Sequence, residues 1–258
     1  MRRGRLHSRP RCIINSPNPV VSVIIPVMNE ARTLGQVILE ARRVHRHTEV
    51  IVVINGSRDG SEKLSRRMGA RVVRYDQALG HDVGRSVGAF AAKGSILLFI
   101  DGDIVIPAKK LKPFVEAIEK GVDIALNSYN GAVKKRKVHG VVLSKHALNI
   151  MLSKPFLRGA SLTAIPHAIS RRALEEIGGE LLSVPPKAHT AAALAGLNMK
   201  TVGYVEVGKT NPRKRKGRDP LTNLIVGDHL EAMHYLIKHN NKRAGKSDLG
   251  RKRELVIE

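Results

Sequence analysis

The chain has 258 residues, 42% of them hydrophobic, which suffices for one large globular unit with a small appendage and falls short of two full domains. Aromatic residues are only 3% and tryptophan is absent, so stacking platforms for single-stranded nucleic acid are poorly supplied, yet 45 Lys and Arg against 22 Asp and Glu give a charge of +23 that attracts anionic partners. Cys12 is the one cysteine, which excludes an internal disulfide and a thiolate metal cage and fits a reducing cytoplasm.

Residues 1–18 carry five arginines in the first twelve positions and no hydrophobic period, and read as a basic lead-in. Val20 to Val27 predicts a first strand; its apolar run is broken by Pro26 and too short to cross a membrane. No other stretch of about 18 apolar residues follows, so the expectation is a soluble or at most peripheral protein. Leu34, Val37, Ile38, Ala41 and Val44 fall at helical spacing, and Glu49 to Ile54 is a second strand closing in the polar turn Asn55 to Ser61. A helix over Glu62 to Met68 and a third strand over Ala70 to Arg74 come next. Gly84, Gly88 and Ala92 recur every four positions along the following helix, which lets it approach a sheet or a ligand closely.

That helix leads into Gly94 to Asp103, where the unbroken apolar run Ile96 to Ile100 suits a central parallel strand and Asp101-Gly102-Asp103 follows at once. In open α/β sheets ligands bind beyond the carboxyl ends of the strands. Paired hard oxygens there can hold Mg2+ or Mn2+ against a diphosphate, although Asp-Gly by itself is also common turn chemistry. Strand and helix alternate four times, so the chain reads as a Rossmann-like, doubly wound, mostly parallel α/β sheet with helices on both faces. Asn29, Glu30, Asn55 and Asp101 then face one crevice.

Beyond Asp103 the pattern loosens. Helices are expected at Lys109 to Lys120, Val138 to Leu152, Arg171 to Ile177, His189 to Ala195 and Leu221 to Ile237, and strands at Asp123 to Asn127, Ser161 to Ser170 and Met199 to Val207. Asn211 to Pro220 is a basic loop containing Arg213-Lys214-Arg215-Lys216, and the tail from Lys238 is again basic.

Four blocks, Val21 to Leu34, Val50 to Ser61, Gly80 to Gly88 and Gly94 to Asp103, together resemble the nucleotide-binding half of family 2 glycosyltransferases with the GT-A fold. Arg171 to Gly179 is similar to that family's acceptor-side helix. The resemblance implies a GT-A domain over residues 19–208, with a nucleotide-sugar half at 19–107, an acceptor half at 108–208, and a basic loop, amphipathic helix and tail at 209–258. It implies transfer of a sugar from a UDP- or GDP-sugar to an acceptor in cell-envelope or glycoconjugate synthesis.

Carried over by position, Pro26, Asn29 and Glu30 surround base and ribose, and Asn55 lies at the base. Ile54 stands where the family has an acid, which puts base identity in question. Arg85 lies near the diphosphate with Asp82 to orient it. Asp101 and Asp103 are the metal ligands, with Mg2+ or Mn2+ as cofactor, and His167 and His189 are further candidate ligands. The family's acidic base after Gly178-Gly179 is missing, since no acid occurs between Glu180 and Glu206. Three accounts stay open: His189 is the base, the reaction retains configuration, or the acceptor is an ionised phosphate. The last is favoured because an anionic acceptor suits the positive charge. Peripheral contact with the inner face of a membrane through the basic loop and the last helix would suit a lipid-linked acceptor. The alternative is a catalytically impaired GT-A-like protein that acts as a basic nucleic-acid or anionic-surface binding module. Specific nucleic-acid binding is disfavoured, because no reader motif accompanies the charge runs.

Overall fold

The computed structural model describes residues 12–207 and 221–256. The lead-in up to Arg11 and the basic loop Asn211 to Pro220 lie outside them. The elements in chain order are β1 (Val21–Val27), α1 (Ala31–Arg42), β2 (Thr48–Asn55), α2 (Ser61–Arg67), β3 (Arg71–Tyr75), α3 (Val83–Ala91) and β4 (Ile96–Phe99). They continue with α4 (Ala108–Glu119), β5 (Ile124–Asn127), α5 (Gly140–Met151), β6 (His167–Ser170), α6 (Arg171–Ile177), α7 (Pro185–Leu194), β7 (Met199–Gly203) and α8 (Leu221–Lys238).

The seven strands form one sheet in the order β3-β2-β1-β4-β6-β5-β7. Every pairing is parallel except those of β6, which runs antiparallel between β4 and β5. The expected mostly parallel α/β sheet is therefore the one formed. β1 sits between β2 and β4, with Ile24 opposite Ile51 and Phe99. The chain reverses its direction of winding between these strands, so the loops after β1 and β4 diverge and open a crevice.

Alternation along β1 explains why both faces are covered. Val21, Val23, Ile25 and Val27 enter one apolar layer with Leu34, Val37 and Ile38 of α1 and Leu111, Phe114 and Val115 of α4. Ile24, with Ile51, Val53, Leu97 and Phe99, enters the other with Ala89 of α3, Ala173 and Leu174 of α6, and Ala188 of α7. Each large side chain so buried contributes about 1.5–3 kcal/mol. The small residues of α3 act as anticipated: a Cβ on Gly84 would lie 3.0 Å from Pro26 Cβ, and one on Gly88 would collide with Ile24 Cγ2. That close approach carries Arg85, on the same helix, to the sheet edge.

Three expected elements end or start elsewhere. The strand expected over Ser161 to Ser170 begins only at His167, because Pro166 has no N–H to give a ladder and 161–166 instead forms a loop. β7 stops at Gly203, just past a register shift opposite Leu126 and Asn127. α7 starts at Pro185 instead of His189, proline being well suited to the first helical position. The last helix, α8, lies across α5 and α7.

Candidate active site

The crevice begins with how α1 is started. Asn29 takes a left-handed conformation (φ 61°), which a short polar residue tolerates better than most. Its Oδ1 accepts from Arg58 N at 2.8 Å, and its own N–H donates to Ser57 Oγ at 3.1 Å. The N–H groups of Glu30 and Ala31 donate to Ser61 Oγ at 3.0 Å and Asp59 Oδ2 at 2.9 Å. The first helical turn is thus capped by the loop after β2 instead of by its own residues. Desolvation works against the Asp59 carboxylate, but hydrogen bonds from Ser61 and Ala31 outweigh it and hold its pKa below the usual value. Asn55 is buried and is used within the protein: Leu79 N donates to its Oδ1 at 2.5 Å, and its Nδ2 donates to the Gly80 carbonyl at 3.0 Å.

The acidic turn after β4 is pinned to the same wall. Thr33 Oγ1 donates to the Gly102 carbonyl at 2.8 Å. A Cβ on Gly102 would come within 2.9 Å of Val27 Cγ2, so only glycine lets Asp101 and Asp103 flank a turn pressed against the end of β1. The Asp101 side chain keeps 37% of its surface open to the crevice. Desolvation nevertheless raises its pKa; Arg85 pulls the other way, and the negative charges of Asp103 and Asp82 add to the rise.

Arg85 joins the two halves of the site. Its Nε lies 3.0 Å from Asp82 Oδ1, its Nη2 lies 3.5 Å from Asp101 Oδ1, and its Nη1 donates to the Leu162 carbonyl at 3.1 Å. Asp82 is itself left-handed (φ 63°) and also faces His81 Nε2 at 3.3 Å. The sequence anticipated the Arg85–Asp82 link; the Leu162 carbonyl, from a loop 77 residues on, carried no sequence signal.

The two candidate histidines are not at the mouth of this crevice. His167 is buried, stacks on Phe99 with ring centroids 4.9 Å apart, and shares a 2.9 Å hydrogen bond through Nδ1 with the Ala164 carbonyl. His189 is closed from solvent and contacts Asn149 Oδ1 through Nε2 at 2.8 Å. Burial lowers both pKa values to about 3. A folded value below the free one means that the unfolded chain binds the proton more tightly, so stability is full above pH 6.5 and drains as pH falls toward 3. Unfolding free energy is therefore expected to drop by about 1 kcal/mol per histidine per pH unit below pH 6. Urea titrations at pH 7, 6 and 5 measure this, and the slope should fall in His167→Asn but stay above half, because burial lowers His189 and His229 as well.

Among the described residues no group of three or more His, Cys, Asp or Glu is placed to hold a metal ion. The donor set available is the carboxylate pair Asp101 and Asp103. It fits a hard divalent cation of the Mg2+ or Mn2+ kind, which commonly takes one or two carboxylates and fills its shell from phosphates and water. The raised pKa of Asp101 is also what a nearby cation would relieve.

A parallel-centred sheet with an acidic turn at its switch point places the chain in the GT-A class of α/β folds. Residues 22–173 match the family model described as Glycosyl transferase family 2, and the chain belongs to that family. It is 34% identical over 118 residues to "Glycosyltransferase AglE" of Haloferax volcanii, covering 42% of this chain and 36% of that protein. It is 25% identical over 228 residues to a dolichol-phosphate mannosyltransferase of Pyrococcus furiosus, covering 84% and 64%. The chain thus spans less than two thirds of these relatives. Among solved structures, glucosyl-3-phosphoglycerate synthase from Mycobacterium tuberculosis, in complex with Mn2+, UDP and phosphoglyceric acid, superposes with a TM-score of 0.58 at 22% identity, covering 90% of this chain and 81% of that one.

Proposed function

We propose that the protein is a metal-dependent glycosyltransferase that moves a sugar from a UDP- or GDP-sugar to a phosphorylated or lipid-linked acceptor. The observation that carries this reading is the Asp101-Gly102-Asp103 turn at the β1/β4 switch point, with Arg85 held beside Asp101. Asp101 and Asp103 would hold the divalent cation, which when bound supplies charge neutralisation for a departing diphosphate. Arg85 fixes the orientation of Asp101 and adds positive charge on the diphosphate side. In this reading Glu30, at the head of α1, accepts from a ribose hydroxyl, while Pro26, Asn29 and Asn55 form the nucleotide side of the crevice. His189 suits the role of base poorly, because it is buried and its lowered pKa makes it a weak proton acceptor. An acceptor whose reacting oxygen is already ionised needs no such base.

The relatives support an anionic acceptor by their names, which include undecaprenyl-phosphate 4-deoxy-4-formamido-L-arabinose transferase and dolichol-phosphate mannosyltransferase. The chain itself supports it through charge: residues 124–174 contain nine Lys or Arg and no Asp or Glu. α5 within that stretch exposes Leu143 and Ile150, and the turn after it exposes Phe156. An apolar edge in basic surroundings suits contact with an anionic bilayer, the place where a lipid-linked acceptor would be met. No helix among the described residues is long and apolar enough to cross a membrane.

The test is thermal denaturation with a panel of nucleotide sugars, with and without Mn2+. A rise of several degrees that needs both nucleotide and metal is expected, since ligand at 100 times Kd adds about 2.7 kcal/mol. Equal stabilisation by generic duplex DNA and none by any nucleotide would overturn the reading in favour of a basic binding module.

A further inference from the structure

The crevice continues into the acceptor half along a rim that the chemistry above leaves unused. β4 and β5 both run antiparallel to β6, and β7 runs parallel to β5, so the carboxyl ends of β4, β5 and β7 share one edge of the sheet. Asp101 follows β4 there. Tyr129 follows β5 and Tyr204 follows β7 on the same edge, and their ring centroids lie 6.2 Å apart with planes inclined at 54°. Two of the chain's four tyrosines therefore meet at the rim, where Tyr204 keeps 56% of its surface open.

Buried Asn127 builds this rim. Its Oδ1 accepts from the N–H groups of Tyr129 and Val205 at 3.1 and 3.0 Å, and its Nδ2 donates to the carbonyls of Val205 and Ile165 at 2.9 and 2.8 Å. Both hydrogens and both lone pairs of the amide are used, so the segments after β5 and β7 are held in fixed relation. Val205 enters the core, while its neighbours Tyr204 and Glu206 stay outside it, exposed and half-buried. Desolvation raises the pKa of Tyr129, and Tyr204 and the Glu206 carboxylate add to the rise, as groups close to its hydroxyl do. The segment before β6 ties the rim to the crevice. Its Leu162 carbonyl accepts from Arg85 and its Ile165 carbonyl, three residues on, accepts from Asn127. Three residues of chain span roughly 11 Å at most, a reach of the order of a sugar phosphate's own length.

We propose that Tyr129, Tyr204 and Glu206 form an acceptor subsite for a polyhydroxylated group, the acceptor being a phosphorylated sugar or polyol whose reacting oxygen lies in the crevice and whose hydroxyls lie on the rim. This deepens the glycosyltransferase reading and rests on it. The tyrosine rings offer rigid amphipathic faces to the C–H side of a sugar, and Glu206 accepts charge-assisted hydrogen bonds from its hydroxyls. Glu206 also sets the direction of binding. Its negative charge repels the acceptor's phosphate and turns that end away from the rim, toward the crevice. An alkyl phosphate has no hydroxyl to give Glu206, and a site built around such a hydrogen bond discriminates against an analogue that lacks it.

The experiment is calorimetry of the full chain in the presence of UDP and Mn2+, with glycerol phosphate and the phosphates of glucose and mannose as one set of probes and hexyl phosphate as the other. At least one hydroxylated probe is expected to bind about tenfold tighter than hexyl phosphate or better, the worth of a hydrogen bond to a charged group. Glu206→Gln and Tyr204→Ala should each erase most of that preference. The first is nearly isosteric and the second removes a side chain more than half exposed, so melting temperatures without ligand should stay close to the parent's and separate loss of the subsite from loss of the fold. Equal or tighter binding of hexyl phosphate, no binding of any hydroxylated probe, or a preference that survives both substitutions would overturn the proposal. Thermal stabilisation by UDP with Mn2+ alone is measured beside it: stabilisation without a hydroxyl preference sinks the subsite alone, and a hydroxyl preference without stabilisation sinks the transferase reading.

Discussion

Asp101→Asn and Asp103→Asn are each expected to lower kcat about a hundred- to a thousandfold, on the scale of losing one preorganised electrostatic group from an active site. The two variants should also lose the Mn2+-dependent part of UDP stabilisation while keeping any metal-independent part. Asparagine is nearly isosteric with aspartate, and the turn is held by the Gly102 carbonyl and by the fit of Gly102 against Val27, neither of which the substitution touches. Stability should therefore hold. At Asp101 it should rise slightly, because the substitution removes a carboxylate that pays for desolvation and for two negative neighbours. Steady-state kinetics and thermal denaturation on the same preparation separate the two effects. Undiminished turnover in Asp103→Asn would remove the metal from the proposed mechanism.

What the sequence made legible is what depends on short-range pattern. The strand Ile96 to Phe99 could be read as central because the five apolar residues in a row from Ile96 to Ile100 suit burial on both faces, and the acids after them could be placed at the rim because parallel strands end there. Gly84 and Gly88 announced a close helix because only missing side chains permit the contact with Pro26 and Ile24. What stayed hidden depends on long-range pairing. Asn29 and Asn55 look like ligand residues in the motif, yet most of their hydrogen-bonding capacity is spent on Arg58, Ser57, Leu79 and Gly80. His189 stood as a candidate ligand or base at the start of a helix, but that helix starts four positions earlier at Pro185 and the imidazole is buried onto Asn149. The burial of Lys145 was invisible as well, since a lone lysine in an apolar helix normally marks its wet face and here α8 covers it.

Arg85→Met is expected to have the largest effect on the fold. Arg85 is about nineteen-twentieths buried, and its partner Asp82 is closed from solvent to a similar degree. Removing one member of a buried pair leaves the other as an uncompensated charge, a loss of about 3–5 kcal/mol. Arg85→Lys should recover only part of that. A lysine ammonium can reach one carboxylate as a point charge, but three partners in different directions, Asp82, Asp101 and the Leu162 carbonyl, need a planar fork. Binding of UDP with Mn2+ should weaken in both variants, because Asp101 loses the group that orients it. The discriminating variant is the pair Arg85→Met with Asp82→Asn. If the damage comes from the stranded carboxylate, the double variant regains at least half of the lost stability in urea denaturation and none of the lost nucleotide binding. A double variant as unstable as Arg85→Met alone would instead place the cost in the broken link to the 158–164 segment, and the Leu162 carbonyl would be the contact that holds the two halves together.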